Sequence, residues 1–189
     1  VKKASEIISN PKFISLTNQR ETFTLFNKKD GKPIHNAVVW QCTRGQKICE
    51  DILNDRSKNK EIIDKTGLKP NTFFSGSKLK WVYENKPEVK SKIDNGDILF
   101  GTIETYLIYR LTNLNSYVTD TTNASRTLLF NCLENSWDQN LLNIFNCNNL
   151  KLPKILNSSN IFGESDFNKA FKKLIPCLLY TSPSPRDPT

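Results

Sequence analysis

The first apolar stretch of the chain alternates with polar residues in the manner of a β-strand. Residues 13–26 predict a strand because Phe23 and Leu25 alternate with threonines. The middle of this segment has four consecutive polar residues that end in two opposite charges, Arg20 and Glu21. Neighbouring side chains of a regular strand point to opposite faces. Arg20 and Glu21 can therefore serve one site only if the strand ends or bends there.

A turn and a second apolar run follow this segment. Residues 28–33 predict a turn because they contain Asp-Gly and Pro, which favour tight changes of chain direction. Residues 37–40 are all apolar, and such a run predicts a short strand that is buried on both faces.

Residues 45–112 are predicted to be largely helical, because apolar residues recur there at helical spacing. The predicted helices are residues 45–55, with Ile48, Cys49, Ile52 and Leu53 on one stripe, residues 78–85, residues 86–96 from Pro87 to Gly96, and residues 98–113, with Leu99, Ile103, Leu107 and Leu111 on one face.

Strand character returns over residues 117–131, with the turn-forming Asn123 in the middle. Residues 136–146 predict another helix, in which Ser136 and Gln139 have the spacing of a capping box. Strands, then helices, then strands again predict an α/β sheet domain with a helical insertion or layer.

Composition narrows the class of protein. The 189 residues, 37% hydrophobic and 24% charged, fit one domain, or one domain with an appendage. No run has the length of a membrane helix and no leader opens the chain, so a cytoplasmic location is expected. The five cysteines are scattered, which favours reduced thiols over a zinc site or a disulfide framework.

The net charge of +8 comes mainly from lysines that are interleaved with asparagines and acids. This distribution is typical of a solvated surface rather than of a nucleic-acid interface, which has clustered basic residues and aromatics. No nucleic-acid partner is therefore expected. A non-catalytic basic binding module stays open as an alternative, with the charge as its support.

The end of the chain differs in style from the rest. Three prolines lie among Ser, Thr and Arg in the last dozen residues, and nothing there predicts a buried element. We therefore expect one domain over residues 1–176, and we interpret residues 177–189 as a non-native or disordered tail.

Familiar catalytic motifs are absent from the sequence, including the nucleophile elbow, the zinc-protease helix and the phosphate-binding loop. The single histidine, His35, lies in a predicted turn, where a solvated side chain is expected. The sequence therefore provides no candidate catalytic residue and no cofactor-binding or metal-binding residue of its own.

Five segments nevertheless resemble, in order and spacing, the N-terminal domain of the FGGY family of carbohydrate kinases. The resemblance extends from Phe13 to about Glu164, and its Gln-Arg-Glu-Thr and Val-Trp-Gln pieces resemble the members that phosphorylate glycerol. The segments are LTNQRET, GKPIHNAVVWQCTR, FFSGSKLKWVYEN, ILFGTIETYLIYRLT and VTDTTNASRTLLFN.

The resemblance implies an α/β fold of the ribonuclease-H-like, actin/hexokinase type, with a helical layer and without the family's leading hairpin and second domain. It implies that the full-length parent uses ATP and Mg²⁺ to convert glycerol to glycerol 3-phosphate, with a homo-oligomeric parent as one option. The catalytic aspartate and the nucleotide loops are expected outside this chain, so the fragment alone is expected to be inactive.

The resemblance also implies a substrate-binding role for four residues. Arg20 and Glu21 match the pair that grips the polyol, whose hydroxyls both donate and accept hydrogen bonds. Trp40 matches the tryptophan that packs against the substrate carbons. Phe73 stands where the family has a tyrosine, so it keeps the ring and loses the hydroxyl. That loss supports an alternative function, a kinase for another polyol or a ketose.

Overall fold

A computed structural model describes residues 14–165 in full and the backbone of residues 174–176. Strands come first, a helical block follows, and strands and helices then alternate, which is the predicted order. The elements are β1 (Ile14–Leu16), β2 (Phe23–Asn27), α1 (Gln46–Asn54), α2 (Arg56–Thr66), α3 (Ser75–Asn85), α4 (Pro87–Asp94), β3 (Ile98–Thr102), α5 (Ile103–Leu111), β4 (Val118–Asp120), α6 (Thr121–Ala124), β5 (Phe130–Asn131), β6 (Ser136–Trp137), α7 (Gln139–Ile144), β7 (Lys154–Leu156) and β8 (Leu174–Pro176).

The described strands pair two by two. Strands β2 and β3 are antiparallel, with Phe23 opposite Thr102 and Asn27 opposite Ile98. Strands β1 and β8 pair in parallel, as do β4 and β7, while β5 and β6 form an antiparallel pair. Parallel pairs need long crossover connections, and these bring residues that are far apart in the chain to neighbouring positions.

Strand β2 is buried on both faces. Phe23 and Leu25 point into the main core, where the Phe23 ring lies 5.4 Å from the ring of Phe100. Phe26 points the other way, and its ring packs against Tyr106 at 5.2 Å and against other tyrosines. Because β2 is packed on both faces, the segment that leads into β2 at Phe23 is held in position as well.

The predicted strand over residues 13–26 is interrupted. Phe13 lies outside the described residues, β1 ends at Leu16, and residues 17–22 form a turn whose Thr22 N–H donates to the Gln19 carbonyl at 3.1 Å. We call this segment the 17–22 turn. Four polar side chains in succession cannot all face water from a strand that is covered on both sides, so the chain leaves the strand there.

The helix predicted over residues 98–113 is wrong in its first part. Residues Ile98–Thr102 are all buried and form β3, and α5 begins only at Ile103. A strand covered on both faces is apolar at successive positions, so it can imitate the stripe of a helix. The buried face of α5 also differs from the predicted one, because it contains Glu104 and Thr105.

Two smaller predictions also need correction. Residues 37–40 form a single bridge, from Val38 to Phe23, because Ala37 and Val39 are exposed and only Val38 is fully buried. Ser136 belongs to β6, and the helix that follows is capped by Asp138, whose side chain accepts the Leu141 N–H at 3.0 Å. In both places a local sequence pattern gives way to pairing with another strand.

The other helical predictions are confirmed. Helix α4 has Pro87 in its first turn, where the missing N–H of proline does no harm. Helix α1 buries Ile48, Cys49 and Ile52, as its stripe predicts, whereas Leu53, the fourth residue of that stripe, is 43% exposed. The predicted tail, residues 177–189, lies outside the described residues. Within the described part of the chain, no helix has both the length and the apolarity that a membrane span requires.

Gly76 lets α3 approach the rest of the domain closely, and this contact gives a stability prediction. A Cβ atom at Gly76 would lie 2.9 Å from the ring of Phe145, which is fully buried. We expect Gly76→Ala to lower the free energy of unfolding by about 1–3 kcal/mol, as overpacked cores do. This is the reverse of the gain of up to about 1 kcal/mol that alanine normally gives inside a helix.

Urea unfolding followed by circular dichroism measures this effect. In the Phe145→Leu background the ring is absent, so the same alanine should be less destabilising there. An equal effect of Gly76→Ala in both backgrounds would contradict the contact.

Candidate functional site

Asn18 ties the 17–22 turn to two later parts of the chain. Its Nδ2 donates to Glu104 Oε2 and to Asn123 Oδ1, both at 2.9 Å. Glu104 lies in the first turn of α5 and Asn123 lies in α6, so one amide joins the turn to two later elements. The polar turn therefore has a fixed position.

Glu104 is fully buried, and its carboxylate is surrounded by hydroxyl groups. Oε1 accepts hydrogen bonds from the hydroxyls of Thr102, Thr105 and Thr119, at 2.6, 3.0 and 2.7 Å. Burial nevertheless raises the pKa of Glu104, because the loss of hydration outweighs the hydrogen bonds to the charged form.

Glu21 pairs with a residue from a distant part of the chain. Its Oε1 accepts a hydrogen bond from Arg126 Nε at 2.7 Å, and both side chains are only partly exposed. The Arg126 guanidinium also lies over the Phe74 ring, 4.8 Å from its centroid. The ion-pair partner of Glu21 is therefore Arg126 and not the neighbouring Arg20. Within the part of the chain that the structure describes, the Arg20 side chain has no hydrogen bond or ion pair.

Arg126 is positioned by the short helix α6. Asp120 caps this helix, because its Oδ1 accepts the Asn123 N–H at 2.9 Å and the Asn123 Nδ2 at 2.7 Å. The chain continues in a turn in which the Arg126 N–H donates to the Asn123 carbonyl at 3.1 Å. Asn123 thus links the Arg126 turn to Asn18 and the 17–22 turn.

Trp40 and Phe73 stack on each other. Their ring centroids are 5.3 Å apart and their planes differ by 6°. Phe73 is 45% exposed, so the stack presents aromatic surface to solvent. The Trp40 N–H donates to Thr22 Oγ1 at 3.3 Å, which joins the stack to the residue after Glu21.

Lys78 lies beneath these groups and is fully buried. Its Nζ donates to the carbonyls of Phe73, Val39 and Glu21, at 2.8, 3.3 and 3.5 Å. Burial lowers the pKa of Lys78 to about 8, against the opposing field of the nearby Glu21 carboxylate. Glu21, Phe73 and the residue before Trp40 therefore meet at one ammonium group.

The arrangement suits a small ligand that is rich in hydroxyl groups. Glu21 supplies an acceptor, Arg126 and Arg20 supply donors, and the stack of Trp40 and Phe73 supplies a flat apolar wall. A separate cleft of about 350 Å³ lies between α1 and α3, and none of these five residues lines it.

Residues 1–176 match the N-terminal domain of the FGGY family of carbohydrate kinases. The match covers more than half of the chain, so the chain belongs to this family. The α/β fold of the ribonuclease-H-like, actin/hexokinase type, predicted from the resemblance, is confirmed by this match and by the solved structures that the chain resembles.

Within the family, the chain is similar to proteins named glycerol kinase. It is 45% identical over 170 residues to the glycerol kinase of Leptospira biflexa, which covers 88% of this chain and 34% of that protein. The crystal structure of Plasmodium falciparum glycerol kinase with ADP has a TM-score of 0.79 and 39% identity, covering 87% of this chain and 34% of that one.

The crystal structure of gluconate kinase from Lactobacillus acidophilus also has a TM-score of 0.79, with 26% identity, and covers 92% of this chain and 35% of that one. The chain spans about a third of the length of the curated relatives that it matches, as the 34% coverage of the Leptospira protein illustrates.

The sequence did not single out two residues of this site, Arg126 and Lys78. The sequence contained a signal for Lys78, because Phe74 lies four residues before it and Val82 four residues after it, which places all three on one stripe of a helix. The structure buries all three residues. A lysine on the apolar stripe of a helix is rare without a polar partner at its end. Arg126 had no such signal, since its partner Glu21 lies 105 residues away in the chain.

Glu104 gives a prediction about pH. Its pKa is raised in the folded chain, so the folded chain keeps this proton at pH values where the unfolded chain has lost it. This contribution is complete below the unfolded pKa and is lost as the pH rises through the raised folded value. Lowering the pH from about 7 towards the ordinary value of 4.5 should therefore stabilise the wild type relative to Glu104→Gln.

Urea unfolding of both chains across this pH range gives the difference directly. Glu134→Gln is the matched control for the substitution itself, because Glu134 is exposed. A pH-independent difference for Glu104→Gln would contradict the raised pKa.

Proposed function

We propose that the complete protein transfers the γ-phosphoryl group of ATP to a primary hydroxyl of glycerol, in the cytoplasm, and that this domain holds the glycerol. The observation that carries the proposal is the Glu21–Arg126 pair beside the stack of Trp40 and Phe73. The similarity to proteins named glycerol kinase selects glycerol among the ligands that such a cluster could hold.

The chemistry of a triol matches these groups. The Glu21 carboxylate accepts hydrogen bonds from hydroxyls, while the Arg20 and Arg126 guanidinium groups donate to hydroxyl oxygens. Arg20 has donors to offer, because its side chain is not engaged within the described residues. Trp40 and Phe73 cover the carbon side of a ligand whose other side is polar.

The transfer forms a bond between the glycerol oxygen and the γ-phosphorus and breaks the bond to the leaving ADP oxygen. The hydroxyl proton passes to an aspartate base, which we assign to no described residue. Phosphoryl transfer depends mainly on positioning and electrostatics, and this domain contributes the position of the acceptor. Mg²⁺ would accompany ATP, but among the described residues no group of His, Cys, Asp and Glu could hold a metal ion.

A kinase for another polyol or a ketose is the second candidate. Its support is Phe73, which lacks the hydroxyl of the family's tyrosine and therefore removes one directional contact. The similarity to a gluconate kinase shows that this fold also occurs in kinases with other names. The basic binding module rested on the net charge of +8 alone and gains no support from membership of a kinase family.

We call the residues that are proposed to hold glycerol the clamp. Arg20→Ala tests this clamp in the complete enzyme. The Glu21–Arg126 pair should survive, so the loss is that of the Arg20 hydrogen bonds to the ligand. Charge-assisted hydrogen bonds contribute about 1.5–3 kcal/mol, so the KM for glycerol should rise roughly ten- to a hundredfold. Arg56→Ala is the control, because Arg56 is exposed on α2. Normal saturation by glycerol in Arg20→Ala would contradict the clamp.

Phe73→Tyr tests the proposed glycerol site by adding a hydrogen-bonding group instead of removing one. The new hydroxyl lies on a ring that is 45% exposed, so it can reach a ligand without disturbing the core. We expect the KM for glycerol to change while the KM for ATP stays constant. Steady-state kinetics with glycerol and with a series of longer polyols and ketoses separates the two candidate substrates. A higher kcat/KM for one of the latter would favour the second candidate.

A further inference from the structure

Lys78 holds together three segments that are far apart in the chain. Its carbonyl partners lie 57, 39 and 5 residues before it, at Glu21, Val39 and Phe73. An ammonium group has three N–H donors and no acceptor, so its donors match three carbonyls in number. The ammonium lies where these segments converge.

Each of these segments carries a residue of the proposed glycerol site. Glu21 and Phe73 accept through their own backbone carbonyls, and Val39 directly precedes Trp40. The backbone on which each of these side chains is mounted is therefore held from below by the same group. Moving one segment breaks its contact with Lys78 and leaves a buried donor unpaired.

Stability alone gives a poor explanation for a charge at this position. A buried ammonium loses its hydration, and an apolar side chain of similar volume often gives an equally stable or more stable protein. The depressed pKa of Lys78 reflects the same penalty. A buried charge that is kept despite this penalty fits a role in fixing local geometry.

We propose that Lys78 is a positioning residue of the acceptor site, which sets the relative positions of Glu21, Trp40 and Phe73 through their backbone without touching the substrate. The kinetic consequence of this inference, a change in the KM for glycerol, rests on the proposed function. Its structural consequence, the coupling of the three segments, can be tested without any turnover.

Lys78→Met in the complete enzyme removes the donors and keeps the length of the side chain. We expect the KM for glycerol to rise about tenfold or more, because the clamp is no longer held in register. The KM for ATP should stay within about twofold of wild type, since the substitution removes only acceptor positioning. A purely structural role would instead lower the amount of active enzyme and leave both KM values unchanged.

Lys80→Met is the matched control. Lys80 lies on the same helix and donates to one carbonyl, that of Ile144, at 3.3 Å, away from the clamp. This variant removes a lysine-to-carbonyl hydrogen bond of the same kind, so it should leave both KM values unchanged.

Hydrogen exchange gives a readout that does not depend on catalysis. The Thr22, Trp40 and Phe73 amides are hydrogen-bonded within the three segments, to Gln19, Thr22 and Asn71. All three should exchange faster in Lys78→Met and at the wild-type rate in Lys80→Met. Faster exchange in an enzyme that does not phosphorylate glycerol would support the positioning role while refuting the proposed function.

Three results would overturn the positioning role. The first is a Lys78→Met enzyme that folds and in which these amides exchange at the wild-type rate. The second applies if the wild-type enzyme phosphorylates glycerol, and it is a folded Lys78→Met enzyme whose KM for glycerol is unchanged. If Lys78→Met does not fold, Lys78→Gln, which keeps two N–H donors on a shorter side chain, should show the same effects at smaller size. Failure of both variants to fold would assign Lys78 to the stability of the whole domain.

Discussion

The carboxylate of Glu104 lies beneath the 17–22 turn and receives four hydrogen bonds, from three threonine hydroxyls and the Asn18 amide. A buried carboxylate without these donors would be far too costly to keep charged. The hydrogen bond from Asn18 helps to satisfy the Glu104 carboxylate. The same hydrogen bond holds Asn18, and with it the 17–22 turn, in position. Every residue of the candidate site on this turn depends on that constraint.

Lys78 is a second buried ionisable group near the same turn. Glu104 holds the turn through a side chain, Asn18, whereas Lys78 holds it through a backbone carbonyl, that of Glu21. The Glu21 side chain is then left to meet Arg126, whose own turn is joined to Asn18 through Asn123. The polar groups thus form a connected network, and such networks specify one geometry more sharply than apolar packing does.

The sequence predicted the features that depend on local chemistry. Pro87 and the apolar stripe of α1 located helices, and the polar run that contains Arg20 and Glu21 indicated that a regular strand could not bring both side chains to one site. It failed where long-range pairing decides: β3 was assigned to a helix because burial on both faces removes the strand period. The resemblance supplied the four candidate residues, whereas the partnership of Glu21 with Arg126 spans 105 residues and required the folded chain.

In the stack of Trp40 and Phe73, the contacts that hold the rings in place differ from the group that a tyrosine would offer to a ligand. The stack of Trp40 and Phe73 depends on ring faces that lie 5.3 Å apart with a 6° difference in their planes, and a phenolic hydroxyl at the ring edge contributes little to such a contact. Lys78 holds Phe73 through its backbone carbonyl, which is the same for phenylalanine and tyrosine. Under the proposed function, exchange between these two residues would therefore alter the hydrogen bonds offered to a polyol while the backbone positions stay fixed. If the proposed function holds, substrate preference would change at this position without any change in the hydrogen bonds of Lys78 to the backbone.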